Sequence, residues 1–194
     1  MLQPLRLPLA LGLTLVLAAC ANTNPHSIGS LPDTRHTDLD KTLTIAGKKK
    51  GEEAVSLYLS AADLAWQQGD SLKARTLVDS LDLDSARPAQ QIFANTLRAE
   101  MALARKQPEM ALKLLQAPVF ERLPELPASQ QARSQEVNAR ALEATGQLLS
   151  AVRERIFMAG LLTPDTANAN LENTWSLVSR LQPPVDSQAH ENEL

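Results

Sequence analysis

The 194-residue chain has little of what active sites are usually built from. Its single cysteine, Cys20, excludes any disulfide within the chain, so whatever folds must stand on packing alone. The three histidines fall at positions 26, 36 and 190, outside the stretch with helical patterning, which takes the commonest general base and metal ligand out of the folded part. Glycine occurs seven times and never as a phosphate-cradling loop. Ser-x-x-Lys, Gly-x-Ser-x-Gly and His-Glu-x-x-His are all missing. Asp79, Asp82 and Asp84 gather, but without the Gly and terminal Glu of a calcium loop, and read as a solvated helix end. An enzyme, a metal site and a bound cofactor are therefore not expected. Basic residues number 19 against 22 acidic ones, a balance that argues against nucleic acid as a partner. Aromatics make up only 3% of the chain, so a core has to come from Leu, Ala, Val and Ile.

What is present begins with a leader. Arg6 stands near the amino terminus, an apolar run extends from Leu9 to Leu17, and Leu17-Ala18-Ala19-Cys20 closes it. The run is shorter than the roughly 20 apolar residues a spanning helix needs. Leu followed by two small residues and Cys resembles the lipobox at which lipoprotein processing enzymes acylate the thiol and cleave before it. Residues 1–19 are then a signal peptide, and Cys20 is the attachment point to membrane lipid. Several acyl chains hold firmly, each buried methylene contributing about 0.8 kcal/mol. Residue 21 is Ala, not the Asp that favours inner-membrane retention in such lipoproteins, so the expected place is the periplasmic face of the outer membrane. The plainer alternative is an ordinary secretory signal with an incidental cysteine.

Residues 20–51 are rich in Asn, Thr, Ser, Pro and charge, with no lasting periodicity, and read as a flexible tether spanning roughly 30 Å. Lys48-Lys49-Lys50 reads as a solvated run. From Glu52 the pattern becomes helical, with breaks at Gly69-Asp70, Pro88, Pro108, the prolines 118, 124 and 127, Gly146 and Pro164. The expected helices are 52–68, 71–83, 88–106, 108–117, 128–145, 148–161 and 166–181. A helical domain over 52–182 is then followed by a disordered tail, or the start of a further region, at 183–194, after the prolines 183 and 184.

The helices pair into three hairpins that align at their turns. Ala74, Ala111 and Ala151 then coincide in the second helices, and Ala62, Ala99 and Ala139 in the first. Tetratricopeptide repeats place small residues at this spacing so that two helices can approach closely. The expected fold is thus all-α, an array of antiparallel helical hairpins forming a tetratricopeptide-like superhelix with a groove. In this register the first helices present Asp63, Trp66, Glu100, Arg133, Glu136, Arg140 and Glu143 as candidate partner-binding positions. Trp66 is either an anchor for a partner or part of the packing.

Asn170-Leu171-Glu172-Asn173-Thr174-Trp175-Ser176-Leu177-Val178, together with Gln130-Gln131-Ala132-Arg133 and the helix ended by Gly146, resembles the LpoA (LppC) lipoproteins, outer-membrane activators of penicillin-binding proteins. The resemblance covers roughly 52–182. It implies a non-catalytic regulator of peptidoglycan synthesis whose periplasmic partner is a class A penicillin-binding protein, this chain being the helical spacer domain. In that family a larger domain follows and is thought to touch the synthase, so the chain is expected to be a fragment or a shortened homologue. The alternative is a repeat-containing scaffold that gathers envelope proteins without activating a synthase.

Overall fold

A computed structural model describes residues 27–181. Cys20, the signal peptide and the tail beyond Leu181 lie outside the described residues. Among the described residues eight α-helices follow one another: α1 Leu39–Ala46, α2 Gly51–Gln67, α3 Ser71–Asp79, α4 Pro88–Ala104, α5 Pro108–Leu115, α6 Ala128–Ala144, α7 Leu148–Met158 and α8 Pro164–Leu181. Short 3-10 segments occupy Pro118–Glu125 and Ala159–Leu161. There is no strand among the described residues, and the all-α expectation holds. None of the described helices is long and apolar enough to cross a membrane.

The pairs α2–α3, α4–α5 and α6–α7 are hairpins, and the first helices α2, α4 and α6 also touch one another in sequence. The turns repeat a single device. Gly69 N–H bonds Trp66 O and Asp70 N–H bonds Ala65 O; Lys106 and Gln107 do the same to Leu103 and Ala102, and Gly146 and Gln147 to Glu143 and Leu142. This is the paired closure of a helix end through one left-handed residue. Gly69 and Gly146 have φ of 84° and 77°, while the middle hairpin places Lys106 there at 59°. Six alanines at the aligned positions, 62, 74, 99, 111, 139 and 151, are wholly buried. A larger side chain at any of them would separate helices that now lie in close contact. Polar bonds also join the hairpins. Gln90 Nε2 donates to Glu52 O and Ser56 Oγ at 2.8 and 2.7 Å, and the Thr96 and Ser134 hydroxyls meet at 2.9 Å.

The stretch read from sequence as tether is partly packed. Asp38 caps α1 by accepting from Lys41 N at 2.9 Å, and Thr42 and Ala46 are buried where α1 meets α2. Further upstream, Ala89 N–H donates to Ile28 O, and Ile28 and Leu31 lie against the core. An eight-residue helix with two Thr and one Ile is too short to hold by propensity, so only its packing on α2 holds it, and periodicity over so short a run is weak. Two further boundaries move. The α3 helix stops at Asp79, leaving Leu81 and Leu83 to cover the first hairpin from the turn. The proline-marked connection winds into a 3-10 segment whose Val119, Phe120 and Leu123 cover Ile92 and Leu126.

Candidate functional site

Three of the seven first-helix candidates converge on one point. Arg133 of α6 reaches across two hairpins: its Nη2 lies 2.6 Å from Asp63 Oδ1 on α2, and its Nε and Nη2 lie 2.7 and 2.8 Å from the two Glu100 oxygens on α4. The second Asp63 oxygen accepts from Gln67 Nε2 at 2.7 Å, so this carboxylate, with its side chain 1% exposed, is fully partnered. The Arg133 guanidinium lies over the Phe93 ring, 5.3 Å from its centre, within cation–π range. Burial works against the Arg133 cation, but the Glu100 hydrogen bonds and charge, then Asp63, outweigh it and hold the group above its ordinary value. Two carboxylates and one guanidinium thus form an interhelical lock whose members spend their hydrogen bonds on each other.

Beside the lock a cleft of about 420 Å³ opens between α6, the Ala159–Leu161 turn and α8. Met158, Leu161 and Leu162 give it an aliphatic wall, and Arg133, Glu136 and Asn170 supply polar edges. Glu136 is held by Arg155, whose Nη1 is 2.7 Å from Glu136 Oε2, while Asn170 Nδ2 donates to Arg155 O at 3.0 Å. Arg155 is the residue the sequence reading missed. A signal was present: α7 buries Ala151, Val152, Arg155 and Met158 as one stripe, and a lone charge on such a stripe asks for a buried partner.

The remaining candidates stand apart from this point. Trp66 is half-buried against the core of the first hairpin and borders a hollow with Arg75, Met101 and Arg105. Glu143 pairs with Arg180 of α8 at 2.6 Å, and Arg140 is exposed beside them. Among the described residues no three His, Cys, Asp or Glu side chains gather as a metal site. The carboxylate at the edge of this aliphatic cleft is thus already tied to an arginine.

A family model described as LppC putative lipoprotein matches residues 33–193. The chain belongs to this family. The LppC fold is also seen in solved structures. The amino-terminal domain of LpoA from E. coli is 23% identical, with a TM-score of 0.59, over 85% of this chain and 73% of that one. The corresponding domain from Haemophilus influenzae is 24% identical, with a TM-score of 0.58, over 78% of this chain and 67% of that one. Full-length LpoA from H. influenzae matches at 23% identity and a TM-score of 0.55, over 76% of this chain but 27% of that one. At such identities the likeness is one of fold, and this LppC chain spans under a third of the full-length LpoA it matches. No curated protein matches it.

Proposed function

We propose that this chain is the helical spacer domain of an outer-membrane lipoprotein that regulates peptidoglycan synthesis by contact with a class A penicillin-binding protein, without catalysis of its own. The observation that carries the reading is family membership over 33–193 together with the fold of LpoA amino-terminal domains. The aliphatic cleft between α6 and α8 agrees with a contact role. Acylated Cys20 supplies the anchor. Because Ile28 is already bonded to α4, seven residues separate Cys20 from the packed body, a reach of roughly 27 Å fully extended. The domain then sits close over the membrane instead of hanging from a long tether.

Two measurements test this. Cys20→Ala is expected to remove the protein from the outer-membrane fraction, because without the thiol neither acylation nor the cleavage that follows it takes place, and unchanged fractionation would remove the anchor. Purified full chain added to a class A penicillin-binding protein is expected to change its glycan-polymerising or transpeptidase rate. An unchanged rate with anchoring retained favours a scaffold that recruits envelope proteins and activates none.

A further inference from the structure

The other flank of α6 carries a second groove, of about 370 Å³, between the Pro118–Glu125 segment and α7. Phe120 and Leu123 form one wall and Phe157 the other, with Gln135 and Glu154 also lining it. Two features are not accounted for by packing. Phe157 is 69% exposed in a chain with few aromatics. Gln135 is 7% exposed, and its Oε1 is buried with no hydrogen-bond partner. A buried amide oxygen without a donor destabilises the fold, and an aliphatic side chain there would avoid the cost. A donor arriving from outside would remove that cost. Glu154, half-buried at the same groove, has no ion-pair partner among the described residues.

We infer that this groove binds an extended peptide segment of a partner protein. An apolar side chain of the peptide lies between Phe120 and Phe157, a backbone N–H of the same segment donates to Gln135 Oε1, and a Lys or Arg one or two residues away faces Glu154. A peptide is the occupant that supplies all three at once, since its backbone N–H groups repeat beside its side chains at fixed spacing. The inference does not depend on the synthase reading, because it rests on residues of the 3-10 segment, α6 and α7 alone.

The test is to pan a displayed random dodecapeptide library on the full chain in detergent micelles, synthesise the consensus peptide, and measure its affinity by calorimetry. The consensus is expected to place an apolar residue next to Lys or Arg. Affinity should fall about tenfold for Gln135→Leu, for Phe157→Ser, and for a peptide N-methylated at the amide beside its apolar residue. Phe157→Ser alters only an exposed side chain and the N-methyl peptide alters no residue of the protein, so both readouts survive if Gln135→Leu folds poorly. The inference is overturned if no peptide is enriched, if affinity is indifferent to Phe157→Ser and to N-methylation, or if sedimentation shows a dimer that Phe157→Ser abolishes, which would assign the face to a second copy of the chain.

Discussion

Arg133 and Arg155 are both arginines paired to carboxylates inside the helical stack, yet their neighbours give them different weight. Removing Arg133 leaves Asp63 charged with its side chain 1% exposed and Glu100 without its fork. Breaking a buried pair from one side typically costs 3–5 kcal/mol, and because the Arg133 side chain is itself 25% exposed the lower end applies, about 3 kcal/mol for Arg133→Met. Arg155 is 3% exposed, has an Nε without a partner, and is paired to a Glu136 that is 37% exposed and can be hydrated once freed. Arg155→Met keeps a similar volume but leaves the buried Asn170 Oδ1 without the Arg155 Nη1 donor 3.4 Å away, so it should cost about 1 kcal/mol, well short of Arg133→Met. Unfolding free energies in urea check both. Equal losses would mean that exposure of the carboxylate is not what separates the two pairs. The sequence placed Asp63, Glu100 and Arg133 on the first helices but not in contact. Arg133 stands seven positions earlier along its helix than Asp63 does along α2, so they meet only because successive helices are offset in the stack, which no local pattern encodes.

At the scale of elements, the helical part of the chain was legible where punctuation was strong. Pro88, Pro108 and Pro164 each occupy the first position of a helix, and Gly69 and Gly146 close two of the hairpin turns, each by supplying the left-handed residue. Where a glycine is missing the chain bears strain, and Lys106→Gly should stabilise the protein by about 1 kcal/mol by removing a side chain from the left-handed region. A melting temperature unchanged or lowered by this substitution would mean that the middle turn differs from its two neighbours in more than its residue. The α1 helix was not legible because tertiary contact, not propensity, makes it. Amide exchange gives the check: the α1 amides beyond its cap should be protected where a flexible tether would exchange freely. Asp38→Ala should cost about 1 kcal/mol and loosen α1 before the rest.

Across the whole molecule, the Arg133 lock changes how a repeat array should unfold. In a linear stack each hairpin touches only its neighbours, and stability is nearly a sum of hairpins and nearest interfaces, so that ends can melt separately. Here the guanidinium of the third hairpin bonds a carboxylate of the first, 70 residues earlier, and another of the second. Losing the third hairpin therefore strands buried carboxylates in the other two, and losing either of those takes one partner from Arg133, which couples all three. The two tryptophans make this measurable, since Trp66 sits in the first hairpin and Trp175 in α8. With Trp175→Phe as background, Trp66 fluorescence reports the first hairpin while far-UV circular dichroism reports all helices. The two urea transitions should coincide when the lock is intact and separate when Arg133→Met is added, with the fluorescence and dichroism midpoints no longer agreeing. Coincident transitions in both proteins would show that the apolar interfaces alone couple the repeats, and that the lock sets their alignment without setting their cooperativity.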